Sequence, residues 1–334
     1  MSIIARNGAP ALGKRVLLLG ATGTIGRATA MALLDCGHEV VCLVRPGRRS
    51  TFAATLPPGL TVREADVTDP ESLSRDGIHG EDFDALVSCL ASRTGAPEDA
   101  WTIDYRAHSE ALKTAGQAGI GHMILLSAIC VQKPLLEFQK AKLAFEAELI
   151  ASGMIYSIVR PTAFFKSLSG QIDRLRNGKP FLLFGNGDLT ACKPISDHNL
   201  GAFIAGCVDD KGRWNSILPI GGPGPAITPR EQGEELFRLL DREPAFKRVP
   251  VGLMDAIIRG LVLAGRVSPR LKDKAELARI GRYYATESML VLDPETGRYD
   301  EEATPSFGSD TLFGFYEHVV RQGLSVERGD HAVF

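Results

Sequence analysis

Charge of one sign is the first thing this chain lacks. Thirty-eight Lys and Arg stand against 40 Asp and Glu, a formal net charge of −2, and no block of five or six like charges occurs. Nucleic acid is excluded as a partner, because nothing supplies a basic footprint for phosphate. Paired cysteines are missing too. Cys36, Cys42, Cys89, Cys130, Cys192 and Cys207 form no C-x-x-C pair and no His–Cys cluster at zinc spacing. No metal centre is expected, and the thiols read as small core residues in a reducing cytosol. No signal-peptide layout is present, since Arg6, Gly8, Pro10 and Gly13 break the opening residues; a cytoplasmic chain is expected.

Long apolar runs are also lacking. The nearest, Val249 to Val267, carries Met254, Ile257, Ile258, Leu261 and Val262 at helical spacing but is interrupted by Asp255 and Arg259. It falls short of the ~20 apolar residues of a membrane span. A packed amphipathic helix, a wall of an apolar pocket, and a surface in peripheral contact with a membrane all fit it.

What the chain does have is apolar bulk, 44% of 334 residues, enough for one large domain or a domain plus a smaller lobe. Its most informative string is Lys14-Arg-Val-Leu-Leu-Leu-Gly-Ala-Thr-Gly-Thr-Ile-Gly26, a strand-like run that breaks into three glycines spaced three apart. Gly20 permits a sharp turn, Gly23 lets backbone amides approach phosphate, and Gly26 lets the next helix pack on the strand with its N-terminus aimed at an anion. Thr22, Thr24 and Ile25 complete this candidate dinucleotide loop. The next strand, Glu39–Val44, ends at Arg45, where NAD-selective sites carry an acid for the ribose 2′-hydroxyl. Arg45, with Arg48, Arg49 and Ser50 behind it, suits a 2′-phosphate, so the expected cofactor is NADPH.

Strands at 60–65, 85–90, 122–127 and 155–160 follow, separated by helical patterns such as Ala100 to Ala118. The pattern predicts an α/β fold with a Rossmann-type, doubly wound parallel sheet. Ligands sit at the carboxyl ends of such strands, which makes Asp66 and Val67, then Ser88, Leu90 and Ala91, then Pro161 and Thr162, candidate cofactor contacts. Residues 1–13 read as an arm, 14–160 as the NADP-binding core, and 161–334 as a smaller substrate-facing lobe and C-terminal extension interleaved with it. In that lobe Phe181–Phe184, the turn Gly185–Asp188 and Leu189–Cys192 predict a hairpin, and Thr228, Pro229 and Glu231 predict a capped helix start.

The first 160 residues resemble the short-chain dehydrogenase superfamily in its extended or atypical, NmrA-like form. That resemblance implies a serine at the end of the fifth strand, met by Ser127, and a Tyr-x-x-x-Lys pair on the following helix. Here the string is Phe138-Gln-Lys-Ala-Lys142: the lysine is in place and phenylalanine stands where the tyrosine donates a proton to oxygen. Ser127 and Lys142 are thereby cofactor-binding candidates, Lys142 the catalytic one. Longer strings, Arg160–Gln171, Gly187–Ser196, Pro219–Pro225 and Glu287–Pro294, resemble the divinyl chlorophyllide 8-vinyl reductases and extend the likeness over nearly the whole chain. That family implies NADPH-dependent reduction of a vinyl group on a tetrapyrrole, a substrate that brings its own Mg, in chlorophyll or bacteriochlorophyll synthesis. Phe138, Phe164 and Phe165 then become candidate walls for a flat apolar substrate. A non-catalytic NADP-sensing regulator and a reductase of another activated carbon–carbon double bond are the alternatives.

Overall fold

The computed structural model describes residues 13–266 and 268–326; apart from Gly13, the expected N-terminal arm lies outside them. Apolar runs in the first 160 residues form the strands β1 (Arg15–Leu19), β2 (Glu39–Val44), β3 (Leu60–Glu64), β4 (Ala85–Ser88), β5 (His122–Leu126) and β6 (Ile155–Pro161). The central strands β1, β2, β4 and β5 are buried nearly throughout, as strands covered by helices on both faces must be, whereas edge strand β3 buries only Val62. The second half contributes β7 (Phe181–Phe184), β8 (Ser216–Ile220), β9 (Phe246–Val249), β10 (Val291–Leu292) and β11 (Tyr299–Asp300). The main sheet has seven strands in the order β3-β2-β1-β4-β5-β6-β8, all parallel. Strand order reverses between β1 and β4, and the crevice beyond their carboxyl ends is where open α/β sheets bind ligands.

Two apolar layers sandwich this sheet. One holds Val16, Leu18, Ala30, Leu33 and Val40 with Leu200, Phe203 and Ile204 from the second half; the other holds Leu17, Leu19, Leu86, Met123 and Phe145. The first helix, α1 (Thr24–Asp35), packs against the helix Asp197–Gly206. Their approach is close enough that a Cβ on Gly201 would lie 2.6 Å from the Ala28 carbonyl carbon. A further core, built on Phe165, Leu175, Phe181, Leu183, Leu236, Phe237, Leu312 and Tyr316, belongs to the second half.

The predicted hairpin does not form. The turn is there, with Gly185 and Gly187 at φ +63° and +92°, but β7 pairs in parallel with β9, placing Phe181 opposite Phe246. Cys192 instead bridges singly to Ile227 and Met289. Arg230, bonded to Asp188 at 2.9 Å, ties the turn to the helix Pro229–Leu239. Side-chain packing between distant segments has overridden a strong local turn signal.

The Val251–Ala264 stretch forms a helix that packs on one side only. None of its residues is buried. It leans on the helix Pro269–Thr286, through an Arg282–Asp255 pair among other contacts, and exposes Leu253, Ile257, Val262 and Leu263. No helix among the described residues is long and apolar enough to cross a membrane.

Candidate functional site

The glycine loop leaves β1 at the strand-order reversal. Gly20 takes φ +78°, and a Cβ on it would lie 2.6 Å from the Cys89 carbonyl carbon at the end of β4. On Gly26 a Cβ would stand 2.1 Å from the Gly20 oxygen. Both positions exclude any other residue. Gly23 differs: its Cβ would meet only that oxygen, at 3.4 Å. It is exposed at the N-cap of α1 beside exposed Thr22, so its side is open to an approaching group. Among the described residues no side chain caps α1, which leaves its first N–H groups open to an anion. Thr24 is half-buried at its first turn, and Ile25 packs on the core.

Arg45 and Arg48 lie exposed after β2. Their loop is shaped by Glu64, whose carboxylate accepts the Arg49 N–H at 2.9 Å; that bond, then one from Gly47, lowers the Glu64 pKa. The Ala65 N–H bonds the Val44 carbonyl at 2.9 Å, bringing Asp66 beside Arg45. Asp66 accepts from the Thr68 hydroxyl at 2.6 Å and its N–H at 2.9 Å, and these bonds, assisted by the Arg45 charge, hold it ionised. Val67 packs on the core. A loop that presents two guanidinium groups while its own acid is occupied by backbone amides fits a dinucleotide with a 2′-phosphate.

Several side chains expected at the cofactor have other partners. Ser88 is fully buried and its hydroxyl meets His108 Nε2 at 2.8 Å. His108 Nδ1 lies 2.8 Å from the Ile103 carbonyl, an acceptor only, so Nδ1 carries the proton and Ser88 donates to Nε2. Burial, then the Lys142 charge, pushes the His108 pKa down to about 4, leaving it neutral. Leu90 and exposed Ala91 follow at the strand end. Ser127 is buried and donates to Glu146 at 2.5 Å, and Arg160 pairs with the same carboxylate. Thr162 donates its hydroxyl to the Lys193 carbonyl and its N–H to Ile220 at 2.9 Å; Pro161 before it is buried at the end of β6. The hydroxyl protons of Ser88, Ser127 and Thr162, expected at the cofactor, are thus directed to His108, Glu146 and the Lys193 carbonyl.

Lys142 and Phe138 lie four residues apart on the helix Glu137–Ala151, hence on one face, with Glu146 four further on. Lys142 Nζ pairs with Asp104 Oδ1 at 3.0 Å, the side chains 11% and 0% exposed. Asp104 sits in the π-helical turn Trp101–Ala107, a form frequent at functional sites. It also accepts the Ser92 N–H at 3.2 Å, while its Oδ2 is buried and has no hydrogen-bond partner among the described residues. Phe138 packs into a cluster of Ile129, Cys130, Leu136, Ile280, Tyr283 and Met289, so the helix Pro269–Thr286 roofs this end of the site. Phe164 is half-buried against the main core. Phe165 is buried in the second core, its ring 5.7 Å from Phe315.

Asp104, Glu146 and Lys166 escaped the sequence reading. The i, i+4, i+8 stripe Phe138, Lys142, Glu146 was a signal for the second. Asp104 and His108, four apart in a helical segment otherwise facing the core, were a signal for the first.

Residues 20–211 match the NAD(P)H-binding family. The chain is 54% identical to a divinyl chlorophyllide a 8-vinyl-reductase, chloroplastic, of Oryza sativa subsp. indica, over 96% of this chain and 82% of that protein. Its counterpart in Arabidopsis thaliana is 49% identical, covering 93% and 78%. Among solved structures, an NADPH-dependent quinone oxidoreductase from Escherichia coli in complex with NADPH superposes with a TM-score of 0.66 at 18% identity, covering 91% of this chain and 99% of that one. This last likeness speaks for the fold alone. By identity over nearly its whole length, and with the parallel sheet and glycine cradle to match, the chain belongs to the divinyl chlorophyllide a 8-vinyl-reductase family.

Proposed function

We propose that this chain is an NADPH-dependent oxidoreductase that reduces the 8-vinyl group of divinyl chlorophyllide, or of its protochlorophyllide precursor, to ethyl. The observation that carries the reading is 54% identity over 96% of the chain to a reductase of that name. Residues 14–160 hold the cofactor and residues 161–334 form the substrate-facing lobe, interleaved with the core.

Reduction of the vinyl group adds one hydride and one proton across a carbon–carbon double bond. Bound NADPH supplies the hydride; the remaining requirements fall on the chain. Gly20, Gly23 and Gly26 with the α1 amides hold the pyrophosphate, and Arg45 and Arg48 hold the 2′-phosphate. Negative charge left beside the reduced carbon spreads into the conjugated macrocycle, so no oxyanion forms and no phenol is needed. Phe138 at the tyrosine position is consistent with that chemistry, offering a flat apolar contact instead of a proton. Lys142, fixed by Asp104, places a positive charge near the hydride donor. The final proton comes from its Nζ or from water held by it. Neutral His108, locked between Ser88 and Ile103, stiffens the wall behind Asp104.

Anaerobic incubation with NADPH and divinyl chlorophyllide tests the reading. A blue-shifted Soret band and a product heavier by two hydrogens are expected; an unchanged pigment in the presence of bound NADPH would move the protein to the cofactor-sensing alternative.

Peripheral membrane contact is the reading of the Val251–Ala264 surface, where exposed Leu253, Ile257 and Leu263 stand with exposed Arg259, a pairing that suits an anionic bilayer surface. Flotation with phosphatidylglycerol vesicles is expected, and failure to float removes this part alone.

A further inference from the structure

We infer that Lys166 is a ligand of the cofactor pyrophosphate, delivered across the crevice from the second half of the chain. This rests on the NADPH reading above and adds a residue to it.

Lys166 lies just beyond β6, in the short helical turn Phe165–Leu168. Its backbone is anchored on both sides. Phe165 is buried in the second core, Phe164 packs on the first, the Phe165 N–H reaches the Ile195 carbonyl, and the Ser169 hydroxyl donates to the Lys166 carbonyl at 2.7 Å. From that fixed base the ammonium donates to Thr24 Oγ1 at 3.1 Å. Thr24 is the first residue of α1, next to Gly23, whose side is sterically open. Among the described residues Lys166 has no carboxylate partner, although the side chain is half-buried and spans to a residue 142 positions earlier.

An ammonium has three donors and no acceptor. One is spent on Thr24, and the others stand at the lip of the loop. Because the Thr24 hydroxyl accepts from the ammonium, its own proton is free to donate outward. The two groups therefore form a paired donor set beside the α1 N-terminus, where the helix amides already favour a negative charge. A diphosphate supplies the acceptors and charge this set lacks within the protein. Arg45 and Arg48, at the end of the neighbouring strand, address the 2′-phosphate instead. Lys166 thus contributes to affinity for both NADPH and NADH, and the arginines to the choice between them.

The test measures dissociation constants by quenching of intrinsic fluorescence for NADPH and NADH, and by titration calorimetry for adenosine 2′-monophosphate, which has the 2′-phosphate but no pyrophosphate. Lys166→Met is expected to weaken NADPH and NADH by the same factor, about tenfold or more for a lost charged hydrogen bond. It should leave adenosine 2′-monophosphate binding and the cofactor-free melting temperature unchanged. Lys166→Arg, which keeps the charge, should recover most of the affinity. Unchanged NADPH binding in Lys166→Met overturns the inference. So does an equal loss for all three ligands, which would make the Thr24 bond a structural strap. Wild-type protein that binds neither dinucleotide would sink the cofactor reading itself, and this assignment with it.

Discussion

Replacing Asp104 by Asn removes one charge from a buried pair and almost nothing of its shape. The Asn oxygen can still accept from Ser92 and Lys142, so the change isolates charge. With the two side chains 0% and 11% exposed, little solvent screens the ammonium left behind, and breaking a pair this buried costs about 3–5 kcal/mol. For a chain of 334 residues the unfolding entropy is about 0.7 kcal/mol/K, so the melting temperature of the cofactor-free protein should fall by about 4–7 °C. Removing both charges, in Asp104→Asn with Lys142→Met, should restore most of that loss, because no uncompensated charge remains. Differential scanning calorimetry reads both variants. A loss under about 1 kcal/mol in the single variant, or a double variant less stable than the single, refutes the claim that the pair is held by mutual neutralisation.

Arg45→Asp should raise the KM for NADPH more than that for NADH in steady-state assays; equal effects would remove its 2′-phosphate role. Gly20→Ala should fail to fold stably, since its Cβ would strike the Cys89 backbone at 2.6 Å. Gly23→Ala should fold normally and bind NADPH weakly, and a normal dissociation constant there would mean the phosphates do not pass Gly23. Phe138→Tyr should not raise kcat, because a phenol has no oxyanion to protonate; a faster enzyme would refute the oxygen-free mechanism. For acid stability, the unfolded chain takes up a proton on His108 near pH 6.5 that the native protein refuses until about pH 4. Native stability is thus full above pH 6.5 and falls as pH drops toward 4. The urea midpoint of His108→Gln should fall less than that of the wild type between pH 7 and 5, and an identical drop would assign the sensitivity to other groups, such as His122, also pushed down to about 4.

The glycine loop was legible because its signals are local. Three glycines in sequence suffice to specify a turn, an open approach and a close helix packing, and Arg45 stands one residue past a strand whose end could be read from its apolar run. The chemistry around Lys142 was legible only in part. The lysine was placed by the resemblance to the Tyr-x-x-x-Lys pattern of the short-chain dehydrogenases, but its partner Asp104 and the Ser127–Glu146–Arg160 network come together only when three segments fold, and no periodicity encodes which buried acid meets which base. The same holds for Lys166, whose bond to Thr24 joins opposite halves of the chain. The hairpin failed for the converse reason: a strong turn fixes a change of direction, but the partner of Phe181–Phe184 was set by aromatic packing with Phe246, beyond the reach of any local pattern.

The contact of α1 with the helix Asp197–Gly206 bears on the order in which a ribosome makes this protein. Helix α1 emerges about 170 residues before the helix it packs against, which at ordinary elongation rates is roughly 10–30 s. Throughout that interval Ala30 and Leu33 lack the core partners Leu200 and Ile204, the Ala28 backbone lacks Gly201 against it, and β6 has an open edge awaiting β8. A fragment ending near residue 160, though it would contain every glycine of the cradle, should therefore be a poor binder and an aggregation-prone nascent chain. The molecule acquires its grip on the nucleotide late in synthesis, when its second half returns to close the sheet.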